Sequence, residues 1–220
     1  MDKDLELYIE NLSVTKKLSW SERLEFVSKE FPGRAIFSTS FSIEDQIITH
    51  IIGTNKLDID IFTLDTGRMF DETYEVWQQT KEKYNINIKP YYPDSDRLKE
   101  YVETNGINAF YESKDLRLSC CGIRKVEPLK RALQGYDVWI SGLRTSQSKG
   151  RDDKDLYEID STFEVVKLYP ILELSDDQIW AFIKKEDIPY NKLYDKGFTS
   201  IGCAPCSQVP TDPDNPRSGR

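Results

Sequence analysis

The sequence predicts an α/β fold, an open and mostly parallel sheet with helices on both faces. Three observations carry this. Short apolar runs of strand type recur along the chain, separated by stretches whose apolar residues repeat at helical spacing. That alternation is the signature of βαβ units, which assemble into parallel sheets covered on both sides. At 220 residues the chain is the size of one domain, long enough to bury a full core without cross-links. No internal repeat or low-complexity linker interrupts the pattern.

The elements follow in order. The first thirty residues read as helical, with a helix from about Trp20 to Glu30. RAIFSTSF is a strand ending in small hydroxyl residues. SIEDQIITHII follows as a helix with Ile43, Ile47, Ile48, Ile51 and Ile52 on one face. DIDIFTLDTG is a strand with a turn at its end. MFDETYEVWQQTKEKY is a helix whose Phe70, Tyr74 and Trp77 fall at core spacing rather than forming a ligand box. NIKPYYPD is a third strand and SDRLKEYVETNG a helix. RKVEPLKRAL, DVWISGLR and EVVKLYPIL continue as helix, strand and strand. SDDQIWAFIKKEDI opens with a capping box, Ser175 as N-cap and Gln178 at the third helical position. One nucleotide-binding domain over residues 1–209 is expected. From Pro210 the run PTDPDNPRSGR has three prolines and no apolar period, and reads as the start of a mobile tail.

Composition narrows the function. No apolar run is long enough to span a membrane, and the acidic start MDKDLELYIENL is unlike a signal or transit peptide. The cytoplasm is the expected compartment, where thiols stay reduced and four cysteines point to metal or catalysis before disulfides. The net charge of −8 argues against general nucleic-acid binding. Yet eight positive residues (Arg117, Arg124, Lys125, Lys130, Arg131, Arg144, Lys149 and Arg151) lie between Arg117 and Arg151, against only Glu127 and Asp137. Singly each is a solvated side chain. Together, bracketing a cysteine pair, they point to a small anionic ligand.

Ligands of open α/β sheets bind beyond the carboxyl ends of strands. Three segments lie there: STSFSIED, LDTGR and SGLRTSQSKGR. In the first, hydroxyls and backbone N–H groups at a helix start suit an anion, although a serine-rich helix start is most often only a cap. The segment lacks the glycines and Lys-Ser/Thr pair of a Walker loop, and Glu44 and Asp45 argue against a naked polyphosphate. The cysteines form two pairs, adjacent Cys120 and Cys121 and the C-x-x-C pair Cys203 and Cys206, with 81 residues between the pairs. Adjacent cysteines are awkward ligands for one zinc ion, because both sulfurs must reach it from neighbouring Cα atoms. An iron–sulfur cube can give each thiolate its own iron, and a Cys₄ zinc site is the simpler alternative. His50, the single histidine, falls on the polar side of its helix and reads as a surface residue, which leaves little for Ser-His or Cys-His catalysis.

These residues carry a family resemblance. The pairing of CCGIRKVEPLKRAL with SIGCAPC, together with SFSIED and LDTG, is similar to the assimilatory sulfonucleotide reductases, in particular the cluster-containing adenosine 5′-phosphosulfate (APS) reductases. The resemblance runs from about Ala35 to Arg220. It implies an adenine-nucleotide α-hydrolase-like, Rossmann-related fold and a [4Fe–4S] cluster on Cys120, Cys121, Cys203 and Cys206. It implies a substrate site formed by Ser40, Phe41, Ser42, Glu44 and Asp45, by Leu64, Asp65, Thr66 and Gly67, and by Gly142. Lys125, Arg151, Arg217 and Arg220 match basic positions that contact the phosphosulfate, and Arg144 is a further one on a loop one residue shorter than the family pattern. The implied reaction is thioredoxin-dependent reduction of APS to sulfite and AMP, with thioredoxin or a glutaredoxin-like protein as donor and a homo-oligomer as a possible assembly. The family's nucleophile is a tail cysteine, which the resemblance places beyond Arg220, so no catalytic residue is assigned within this chain. Three alternatives stay open: a reductase of 3′-phosphoadenosine 5′-phosphosulfate (PAPS), whose members generally lack the cysteine pairs; an ATP-pyrophosphatase-type thiolation enzyme, which usually carries a glycine-rich SGG loop where this chain has SFS; and a non-catalytic module with a zinc-bound structural site and a nucleotide pocket used for sensing.

Overall fold

The computed structural model describes residues 5–145, 154–212 and 218–219. Strands β1 (Ala35–Ser38), β2 (Asp60–Leu64), β3 (Ile88–Tyr91), β4 (Val138–Ile140), β5 (Tyr157–Asp160) and β6 (Val165–Leu168) form one sheet in the order β3-β2-β1-β4-β6-β5. All neighbouring pairs are parallel except β5 with β6. From β1 the chain builds outward through β2 and β3, then reverses through β4 to β6. The reversal lies between β1 and β4, where Ile36 sits opposite Trp139. Such a switch point opens a crevice at the carboxyl ends of the strands.

Side-chain alternation along β1 divides the core. Ala35 and Phe37 face the larger cluster, built with Ile47, Ile48 and Ile52 of α3 (Ile43–Asn55), Val76 of α4 (Asp71–Tyr84) and Ile179 and Ile183 of α8 (Asp176–Lys185). Ile36 faces the other way, with Phe62, onto Ala132 of α7 (Glu127–Ala132) and Leu133. Because both faces are covered, the parallel strands carry continuous apolar runs rather than clean alternation. Pro90 is tolerated because β3 is an edge strand. The helix starts follow their caps. Ser175 and Gln178 exchange the two hydrogen bonds of a capping box at α8 (2.9 and 3.2 Å), and the Ser42 hydroxyl accepts the Asp45 N–H at α3 (3.3 Å). None of the helices over the described residues is long and apolar enough to cross a membrane.

Five differences from the sequence reading have physical causes. The helix expected over RKVEPLKRAL is α7 preceded by a π-helical turn over Gly122–Val126, in which the Glu127 N–H donates five residues back to Gly122 O, and that turn joins it to an unexpected α6 (Lys114–Cys121). α6 buries none of its residues, so it leaves no periodic signal. β5 was not expected, since a four-residue antiparallel edge strand with two acidic residues has little apolar pattern. His50 is half-buried rather than on the surface: Nδ1 lies 3.0 Å from the Tyr84 hydroxyl and its ring meets Tyr84 and Phe182 edge-on. Of the aromatic triplet, Trp77 stacks on buried Phe41 and Phe70 meets Phe198, but Tyr74 lies at the surface with its hydroxyl donating to Asp65 (2.9 Å). Finally, the run from Pro210 is tied back at its described end. Gln208 N–H donates to Gly219 O (2.9 Å), and the Ser218 hydroxyl accepts from the N–H groups of Thr211 and Asp212 (both 3.1 Å).

Candidate active site

The crevice at the β1–β4 reversal is a cleft of about 380 Å³. Its walls come from the segments after β1 (Ser40, Ser42, Glu44, Asp45), after β2 (Leu64, Thr66) and after β4 (Ser141, Gly142), closed by Tyr194 and residues 199–203. One side is apolar, with Leu64, Leu129 and Trp139, and the Trp139 indole N–H donates to the Ser38 hydroxyl (2.9 Å). The other side is lined by hydroxyls, among them Thr63, whose Oγ1 is buried without a hydrogen-bond partner. An apolar slot beside a polar rim suits a nucleoside carrying a charged group.

The loop from β1 to α3 is shaped by its own side chains. Phe41 adopts positive φ (60°), a costly conformation for a bulky residue, and its buried ring is held against Trp77. Asp45 accepts both the Ser40 N–H and the Ser40 hydroxyl at 2.7 Å. Burial pushes the Asp45 carboxyl up to about 6 against the pull of those hydrogen bonds. Tyr194 reaches over from the far end of the chain to accept the Ile43 N–H (3.3 Å). Gly142 allows the β4 loop to approach: a Cβ there would lie 2.4 Å from Asp45 Oδ1. In the β2 loop, Asp65 is buried and accepts the Gly67 N–H (2.8 Å), closing a turn in which Gly67 holds φ at 67°.

Among the expected substrate residues, Ser40, Ser42, Glu44, Asp45, Leu64, Thr66, Lys125 and Gly142 line the cleft. Phe41, Asp65 and Gly67 shape its loops from behind. Arg144 is engaged within the fold. Its guanidinium is buried, donating to Glu44 (2.6 Å), to Asp176 (2.5 Å) and to Leu174 O (3.0 Å), so its charge neutralises Glu44 beneath the cleft. Arg151, Arg217 and Arg220 lie outside the described residues.

The four cysteines share a second cavity of about 80 Å³, lined also by Arg68, Phe110, Arg117, Arg124, Lys125 and Pro205. Four cationic side chains and no carboxylate surround the thiols. Burial pushes the Cys120 thiol above its ordinary value, and Arg124 pulls against that. Cys203 and Lys125 line both cavities, so the two sites adjoin. Among the described residues, no three His, Cys, Asp or Glu side chains gather tightly enough for one metal ion. The sequence reading named Thr66 for the substrate and Arg124 among the cations, but missed Arg68 and the contacts that join them to the cysteines here. The Thr66 hydroxyl lies 3.2 Å from Cys203 Sγ, Arg124 donates to Thr66 O, and Arg68 O accepts the Ala204 N–H (2.8 Å). Thr66 and Arg68 stood in the LDTGR segment and Arg124 beside the cysteines, but only the fold brings 66 and 203 together.

Fold and site together define an α/β protein with a nucleotide-type cleft at its switch point and a thiol-lined cavity against that cleft. Comparison with known proteins gives the particular family. Residues 34–209 match the phosphoadenosine phosphosulfate reductase domain. An adenosine 5′-phosphosulfate reductase of Sinorhizobium fredii (strain USDA 257) is 45% identical over 188 residues, covering 86% of this chain and 75% of its own length. Its counterpart from Rhizobium meliloti (strain 1021) is 42% identical over 212 residues, covering 96% and 77%. Among solved structures, a phosphoadenylyl-sulfate reductase from Candida auris in a phosphate complex superposes with a TM-score of 0.77 at 25% identity, covering 93% of this chain and 97% of that one. An FMN adenylyltransferase from Candida glabrata (TM-score 0.56, 14% identity, covering 94% and 74%) shares the fold alone. The chain belongs to the phosphoadenosine phosphosulfate reductase domain family.

Proposed function

We propose that the chain is a reductase of adenosine 5′-phosphosulfate, releasing sulfite and AMP, and that its four cysteines hold a [4Fe–4S] cluster. The observation that carries the reading is the shared wall: Lys125 and Cys203 border both the cleft and the cysteine cavity. The donor set fits the group. Four thiols share one cavity, and a cube can give adjacent Cys120 and Cys121 each its own iron, which a single zinc ion cannot. The surrounding Arg68, Arg117, Arg124 and Lys125 place positive charge around a group that is anionic when bound. When bound, such a cluster supplies an anionic iron–thiolate field beside the substrate and a tie between α6 and the 203–206 segment.

The chain's own residues do the rest. The apolar side formed by Leu64, Leu129 and Trp139 takes the adenine, and the hydroxyl-rich β1–α3 loop lies at the 5′ group. Lys125, half-buried at the junction, donates to the phosphosulfate, and a charge-assisted contact in a partly dry cleft gains strength as charge builds on the leaving phosphate. A thiolate attacks the sulfonyl sulfur, the bond from sulfur to the phosphate oxygen breaks, and its electron pair leaves on AMP. A thioredoxin-type dithiol then displaces sulfite and ends as a disulfide. With the four cysteines taken as ligands, the attacking thiolate is a fifth cysteine, outside these residues. The test is intact-protein mass spectrometry of the 220-residue chain after incubation with APS, alongside APS and AMP competition for the cleft. Competitive binding without a sulfonate adduct is expected. An adduct on Cys120, Cys121, Cys203 or Cys206 would overturn the four-ligand reading, and no nucleotide binding would overturn the substrate.

A further inference from the structure

Two acidic residues open α3, and the fold treats them differently. Glu44 is neutralised by Arg144. Asp45 is equally buried, at 6% exposure, lines the cleft, and among the described residues has no cation within ion-pair distance. Its Oδ2 takes the Ser40 N–H and hydroxyl, and its Oδ1 is wedged where a Cβ on residue 142 would lie 2.4 Å away. The donors of this loop that would greet a phosphate are thus filled from inside by a carboxylate, next to where the substrate's 5′ group comes to lie. An uncompensated buried carboxylate costs stability, and discrimination between ligands often rests on such a repulsive element.

We propose that Asp45 is a specificity residue that keeps out of the cleft nucleotides carrying more than one negative charge beyond the α-phosphate, so that a phosphosulfate is accepted and a nucleoside di- or triphosphate is refused. The inference deepens the reading of the cleft as a phosphosulfate site and rests on it. The chemistry is a difference of one charge. A terminal sulfate carries a single negative charge, whereas a terminal phosphate approaches two above its second pKa of about 6. One extra unit charge about 5 Å from a carboxylate, at an effective dielectric near 20, weakens binding on the order of a hundredfold. The same repulsion bars the polyphosphate of an ATP-pyrophosphatase, which separates this chain from that alternative use of the fold.

The test compares AMP with ADP at pH 8 by isothermal titration, for the wild type and for Asp45→Asn, which keeps the acceptor for Ser40 but removes the charge. The wild type is expected to prefer AMP over ADP at least about tenfold, and Asp45→Asn to narrow that ratio by about tenfold or more. Should the Asn variant fail to fold, Asp45→Ser is read in its place with the same expectation. An AMP-to-ADP ratio that the neutral variant leaves unchanged would overturn the proposal while the assignment of the cleft stands. Failure of AMP to bind the wild type would overturn both.

Discussion

Removing Arg144 separates a structural from a substrate-binding role for the basic residue that the sequence placed at the ligand. Its side chain is 3% exposed and the Glu44 side chain 7%, while Asp176 is 69% exposed. In Arg144→Ala, Asp176 regains water at little cost, but Glu44 is left as an unpaired buried carboxylate. Breaking a buried pair in this way costs about 3–5 kcal/mol. At roughly 2–4 °C per kcal/mol for a chain of this size, the melting temperature should fall by about 10 °C. Adding Glu44→Gln should recover part of the loss, because the neutral amide no longer needs the arginine, and the coupling between the two sites reports their contact. The assay is thermal unfolding followed by circular dichroism for the wild type, both single variants and the double variant, with AMP affinity measured on folded protein at low temperature. An Arg144→Ala protein that melts like the wild type but no longer binds nucleotide would refute this account and restore Arg144 to the ligand.

Other outcomes follow from the same geometry. Folded Asp45 holds its proton up to about 6 whereas an unfolded carboxyl releases it near 3.8, so the unfolded state binds fewer protons between those values and stability falls as pH rises across that window. Asp45→Asn should remove that fall and stabilise the protein at pH 7.5 by about 3 kcal/mol; urea-melt stabilities that run parallel for both proteins from pH 4 to 7 would contradict it. Gly142→Ala should cost about 1–3 kcal/mol and weaken AMP binding, since its Cβ meets Asp45 Oδ1 and the Cβ of Glu44 (3.1 Å); wild-type melting with unchanged affinity would refute the close approach. Lys125→Ala, in protein extended to include the attacking cysteine, should keep its iron yet lose turnover at least about tenfold; an unchanged rate constant would remove Lys125 from the mechanism.

The sequence showed the scaffold well because its parallel strands are buried on both faces and announce themselves as apolar runs. β1, β2, β4 and β6 all lie within segments read as strands, and even β3 survived its proline by lying at the edge. What escaped notice had no local signal. β5 is short and polar, α6 buries nothing, and the π turn after Cys121 depends on a backbone bond to a residue five back. A cleft does lie at the strand ends, where topology puts one. The partner of each charge was not readable. Arg144 sits in a basic stretch and its neutralising Glu44 stands 100 positions away, so only the packed structure shows the ion pair. The meeting of Thr66 with Cys203, 137 positions apart, was hidden for the same reason. Arg151, Arg217 and Arg220 rest on the family resemblance, outside the described residues.

The central claim, that the two cysteine pairs hold one iron–sulfur cluster against the nucleotide cleft, is tested most directly by counting iron and acid-labile sulfide in anaerobically purified protein. About four of each per chain are expected, falling together in Cys203→Ser, because a cube needs all four thiolates. One zinc per chain with no sulfide would contradict the account.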